Sequence, residues 1–320
     1  MPWYVGIDEN GLGPQLGPLI VTAVLARISV AAEKQLSQDP CAFLHERLAD
    51  SKKLVDHRHV ALGEAWARVL GGDPGANDPA SLVERLSLDS LGALQTPCPK
   101  AAKPQCWSSR GERFEADEAK LERAREDLNH LRAQGIDVVW TRSSITCVKR
   151  MNEARAVGVG RLDLDLRSME ALIVAARKRA GAEIVARCGK VGGLMRYANK
   201  FTLLSDHLVT VIDEQRSDSI YRLAGLGQVH FMRDAEGRDP LVSLSSLVGK
   251  WVREVLMGRI TRFYRGHDDA LPDASGYNDP VTDRFVRGSA SLRSGMGIAD
   301  GCFLRASGSK KPERGGASKK

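Results

Sequence analysis

The sequence predicts an α/β fold, and three observations carry that reading. Short β-branched runs recur along the chain, amphipathic stretches of helical spacing separate the later ones, and glycine- and proline-rich punctuation falls between them. Across 320 residues, 42% hydrophobic content is enough for a buried core.

Each element has its own warrant. Trp3-Tyr4-Val5-Gly6-Ile7 reads as a strand that delivers Asp8 and Glu9 to a loop of Gly11, Gly13 and Gly17 with Pro14 and Pro18. Leu19 to Ile28 (LIVTAVLARI) is almost continuously apolar, which suits a strand buried on both faces. Ala31 to Leu48 reads as a helix, followed by the polar cluster Asp50-Ser51-Lys52-Lys53-Leu54 and a second helical stretch to Leu70. Gly71 to Pro79 is a loop, and Ala80 to Leu94 is a short helical segment. Thr96 to Gly111 is rich in Pro, Lys and Cys, and Glu112 to Arg132 alternates charge at helical spacing, so residues 71–133 read as a charged surface insertion. Strand character resumes at Ile136 to Cys147, and an amphipathic helix spans Asp163 to Ala180. Strands follow at Glu183 to Ala186, Leu208 to Ile212 and Val229 to Met232, before a long helix from Leu241 to Tyr264. A last helix is expected near Val281 to Arg287, within one domain of residues 1–307. From Gly308 the chain is poor in hydrophobes and rich in lysine, which predicts a disordered basic tail over 308–320.

Charge and cysteines narrow the function classes. A formal charge of +7 and a pI near 9.1 favour polyanionic partners. The six cysteines form no CxxC pair, which argues against a zinc ribbon or a disulfide scaffold and fits reduced thiols in a cytoplasm. No apolar run is long enough to cross a bilayer and Met1-Pro2-Trp3 opens no signal sequence, so a soluble cytoplasmic protein is expected.

The chemistry concentrates at Val5 to Pro18. Adjacent carboxylates suit a hard cation, and a glycine loop lets backbone N–H groups approach an anion, a combination that points to phosphodiesters. A tight turn with two solvated acids accounts equally well for the local spacing. Likewise Ser51 serves as a helix cap with lysines facing outward, and Glu254, one turn after Lys250, as half of an i,i+4 ion pair.

Four segments in order nevertheless resemble the type 2 ribonuclease H family (ribonuclease HII/HIII-like): GIDENGLGP at the first strand, DSKKL at Asp50 to Leu54, SLSSLVGKWVREVLM at Ser243 to Met257, and SGYNDP at Ser275 to Pro280. Lys190-x-Gly192-Gly193, Arg196-Tyr197, Glu214-x-Arg216 and Ser219-x-Tyr221-Arg222-Leu223 are similar to a divergent bacterial branch. The resemblance implies a ribonuclease H-like mixed sheet flanked by helices, with a C-terminal helical segment. It also implies a metal-dependent endoribonuclease that cuts the RNA strand of RNA–DNA hybrids or of ribonucleotide-containing duplex DNA. Asp8, Glu9 and Glu254 would be the catalytic carboxylates and the ligands of Mg²⁺ or Mn²⁺, held about 3.5–4 Å apart in two-metal sites. Gly11, Gly13, Ser51, Lys52, Lys53, Lys190, Arg196 and Tyr277 would bind substrate, with contacts to the 2′-hydroxyl selecting RNA.

Two departures bear on activity. Gly189, or Cys188 on a one-residue shift, stands where the family places its third acid, and Leu12 replaces an arginine in the glycine loop. Three outcomes follow: activity with fewer ligands, Asp206 or Asp213 moving in; a non-catalytic hybrid-binding protein using Lys52, Lys53, Lys190, Arg196 and the tail; or a scaffold using the insertion.

Overall fold

In the computed structural model, which describes residues 1–39, 41–48, 54–55, 57, 59–72 and 76–306, strand β1 (Trp3–Asn10) is an interior strand of the sheet, third from one edge. It pairs antiparallel with β2 (Leu19–Ile28), which pairs antiparallel with β3 (Ile136–Thr146). On its other side β1 runs parallel to β4 (Ile184–Gly189). Beyond β4 come β5 (Val209–Glu214), β6 (Asp218–Leu223) and β7 (Gly227–Met232), giving the order β3-β2-β1-β4-β7-β6-β5. The result is a mixed sheet of seven strands among the described residues, flanked by helices.

Among the described residues the helices are α1 (Val30–Gln38), α2 (Ala61–Leu70), α3 (Pro79–Leu86), α4 (Leu91–Gln95), α5 (Lys103–Trp107), α6 (Glu118–Ala133), α7 (Val148–Ala156), α8 (Arg161–Ala180), α9 (Pro240–Arg265), α10 (Pro280–Gly288) and α11 (Ala290–Gly295). Helix α9 lies across one face of β1 and β2, where Leu244, Leu247, Val248 and Trp251 are buried with Tyr4, Ile20 and Trp66. Each such side chain contributes roughly 1.5–3 kcal/mol on burial. The approach is close because a Cβ at Gly6 would overlap the Leu241 backbone at 2.3 Å. On the opposite face α8 packs its Leu166, Met169, Leu172 and Ile173 over Val5, Ile7 and Ala186. A third cluster, around Tyr264, Phe285 and Phe303, joins the end of α9 to the C-terminal helices.

Several expectations change. Helix α1 stops at Gln38, not Leu48, because Asp39 precedes a proline and takes extended backbone angles. β6 was not expected, yet its Ser219, Tyr221 and Leu223 are buried in alternation, as one face of a strand requires. Within residues 71–133, Leu82, Leu86, Leu121 and Leu131 join the core cluster that includes α9, and the buried side chain of Glu112 pairs with Arg259 at 2.5 Å. Asp50, Ser51, Lys52 and Lys53 of DSKKL and the 308–320 tail lie outside the described residues. No helix among the described residues is long and apolar enough to cross a membrane.

Candidate active site

The site begins with strand register. β1 and β4 run parallel with Ile7 beside Cys188, so the next residues, Asp8 and Gly189, arrive side by side. β1 continues through Asn10, which places Asp8 and Glu9 within the strand and their side chains initially on opposite faces. Both carboxylates nevertheless converge on Gly189: a Cβ there would stand 2.7 Å from Asp8 Oδ1 and 3.6 Å from Glu9 Oε2. Gly189 thus occupies the gap beside the acid pair, at the position where the resemblance places a carboxylate.

The pair opens into a cleft of about 620 Å³. Its walls include Gly11 and Gly13 of the glycine loop, Gly189, Lys190, Tyr277, and Ser246 and Lys250 of α9. The loop is fastened from several sides. Gln15 and Leu16 donate their N–H groups to Gly276 O at 2.9 and 3.1 Å, and Asn278 Nδ2 donates to Gly13 O at 3.2 Å. Gly11 sits at φ 86°, a left-handed angle that favours glycine. Behind it, Arg305 Nη1 donates to Gly11 O at 2.6 Å and Nε to Gly17 O at 2.9 Å. Leu12 packs with Leu19, Val148 and Met151, which accounts for an apolar residue there. Tyr277 is 44% exposed, with the buried Arg253 guanidinium 4.5 Å from its ring centre.

Other expected site residues lie elsewhere or are already engaged. Glu254 is not in the Asp8–Glu9 cleft; it lines a neighbouring cavity of about 210 Å³ with His57 and Asp273. There His57 Nδ1 lies 2.9 Å from Glu254 Oε2, and Arg253 is hydrogen-bonded to Oε1. The reason is helical phase: Ser246 and Lys250 line the cleft, and four residues turn an α-helix about 40° beyond a full circle, carrying Glu254 toward His57. Asp273, then Glu254, push the His57 pKa up to about 9. Lys190 borders the cleft, but its Nζ donates to Gln215 O at 2.8 Å and Ser219 Oγ at 3.2 Å, tying the β5–β6 turn to the site's edge. Arg196 is exposed and faces Glu214 at 3.6 Å, outside the cleft walls. Tyr197 is buried, stacked on Phe231 at 3.7 Å. Neither Asp206 nor Asp213 lines the cleft, and Asp213 sits on β5 at the far edge of the sheet.

One acid was missed. Asp165 of α8 is fully buried, neither carboxylate oxygen has a hydrogen-bond partner among the described residues, and burial followed by the charge of Asp8 pushes its pKa well up. A carboxylate between Leu164 and Leu166 on an apolar helix face was the available signal.

The donor set suits a hard cation in chemistry but is small. Asp8 and Glu9 offer carboxylate oxygens around one point, and no cluster of three or more His, Cys, Asp or Glu able to hold a metal occurs among the described residues. These residues fit one ion completed by water. They do not assemble a four-carboxylate, two-ion centre.

No protein-family model matches the chain, and no curated protein does. Among solved structures it is similar to a chain of the PCNA:RNase HII complex from Archaeoglobus fulgidus, at 16% identity over 99% of this chain and 96% of that one, TM-score 0.42. It is also similar to ribonuclease H2 from Pyrococcus horikoshii OT3, at 13% identity over 94% and 92%, TM-score 0.42. A third is Bst-RNase HIII in complex with Mn²⁺, at 14% identity over 95% and 66%, TM-score 0.43.

Proposed function

We propose that the protein is a ribonuclease H-type endoribonuclease that cleaves the RNA strand of RNA–DNA hybrids or ribonucleotide-containing duplexes, working with a reduced carboxylate set. The supporting observation is the convergence of Asp8 and Glu9 near the end of β1, opening into a cleft walled by the glycine loop, Lys250 and Tyr277. Adjacent negative charges facing a phosphate need a cation between them and it. Asp8 and Glu9 would hold one Mg²⁺ or Mn²⁺, which supplies charge neutralisation at the scissile phosphate and a more acidic water. The chain's own residues do the positioning. Lys250 adds positive charge to the cleft wall, the fastened glycine loop presents a rigid backbone to the strand, and the exposed Tyr277 ring offers a stacking and hydroxyl contact beside a ribose.

Incubating purified protein with an end-labelled RNA–DNA hybrid in Mg²⁺ and, separately, in Mn²⁺ tests this. Cleavage that Asp8→Asn lowers by about 10²–10⁴-fold supports it. Cleavage unaffected by Asp8→Asn sinks it.

A second reading, a hybrid-binding protein that does not cut, is favoured by Gly189 in the third acid's place and by Glu254 committed to His57. Tight hybrid binding with no product in either metal selects it.

A further inference from the structure

A second cavity, of about 790 Å³, adjoins the cleft and shares Gly13 with it. Arg155, Arg161, Lys200 and Arg305 line it. None of the four is ion-paired with a carboxylate among the described residues; Arg161 and Arg305 donate only to backbone carbonyls. Asp163, the carboxylate in the wall, accepts from Gly160 N at 2.9 Å as the cap of α8. Arg305 is decisive. It is 4% exposed, held by Nε and Nη1 on the glycine-loop carbonyls, and its Nη2 has no hydrogen-bond partner among the described residues. A buried guanidinium with an unsatisfied donor is costly unless an anion completes it.

We propose that this cavity is a phosphate-binding site for a nucleic-acid strand that extends past Gly13 from the acid-pair cleft. Guanidinium forks match phosphate oxygens in pairs, and three of them with a lysine at the rim exceed what one carboxylate ligand requires. Burial first, then neighbouring arginines, lowers the pKa of both Arg161 and Arg305, the signature of cations gathered without a counter-charge. The proposal rests on reading the neighbouring cleft as a nucleic-acid site, and it assigns the strand's path on one side of that cleft.

The test uses the full chain in EDTA, where binding is read without cleavage. Anisotropy of a labelled RNA–DNA hybrid is followed across a KCl series for wild type and for an Arg155→Gln/Lys200→Gln double variant, whose side chains make no bonds that tie the fold. The double variant is expected to bind more weakly and to lose about 1–2 from the slope of log affinity against log salt, about 0.9 per phosphate contact. An unchanged slope overturns the proposal. If the hybrid slope is unchanged while millimolar inorganic phosphate raises the Tm of wild type but not of the variant, the cavity takes free phosphate and the strand path is likewise overturned. A wild-type chain that never cuts the hybrid, yet shows the expected slope change, leaves this site standing and removes only the nuclease reading.

Discussion

Gly189 and Asp8 sit so close that a methyl group on the glycine would lie 2.7 Å from the Asp8 carboxylate. The contact is with a side-chain end that can turn, and Gly189 has no left-handed backbone angle that would bar another residue. Gly189→Asp is therefore expected to fold, with its new carboxylate repelling Asp8 and Glu9. Metal-free, its Tm should fall by an amount matching about 1–3 kcal/mol, and Mn²⁺ should raise its Tm more than that of wild type. Calorimetric Mn²⁺ titration of both proteins checks this; equal affinities would mean that position 189 does not complete the site.

Glu254 is engaged by His57 and Arg253 in a cavity beside the acid-pair cleft. Glu254→Gln should therefore cost stability, about 1–3 kcal/mol for loss of one partner of a buried charge-assisted pair, with hybrid cleavage reduced less than about threefold. Glu9→Gln should do the opposite: little change in Tm and cleavage lowered by about 10²–10⁴-fold. Parallel melting and initial-rate measurements separate the two acids, and equal rate losses would return Glu254 to the active centre.

His57 should make stability fall at alkaline pH. Its folded pKa of about 9 exceeds the ordinary 6.5 because Asp273 and Glu254 favour its protonated form. The stabilisation is thus complete below about pH 6.5 and disappears as pH rises through about 9. Between pH 6 and 10, wild type should lose more Tm than His57→Gln. Superimposable profiles would show that the histidine is neutral in the fold.

Asp165 is expected to oppose stability. A carboxyl whose folded pKa is raised costs nothing extra below its ordinary range near 3.8 and progressively more as pH rises above it. Asp165→Leu, which removes a buried group without a hydrogen-bond partner, should stabilise by about 1–3 kcal/mol at pH 7 and by less at pH 4. Urea midpoints at the two pH values measure the difference, and a destabilised variant at pH 7 would mean that the carboxylate has a partner when the chain is in solution.

Local pattern was enough for the central strands, for α8 and α9, and for the Asp8–Glu9 pair in front of its glycine loop. These features follow from side-chain period and from backbone freedom, which neighbouring residues set between them. The alternation of Ser219, Tyr221 and Leu223 would have revealed β6, and Asp39 before a proline would have shortened α1. Tertiary structure alone decided the rest. Parallel register between strands more than 170 residues apart set Gly189 against Asp8. The phase of a 26-residue helix turned Glu254 toward His57. Packing of a distant C-terminal segment brought Arg305 under Gly11, 294 positions away in the chain. The residue types and their order determined which chemistry was available. Which acids and cations meet was decided by long-range packing, because strand register and helix phase rest on contacts between segments that no local spacing encodes.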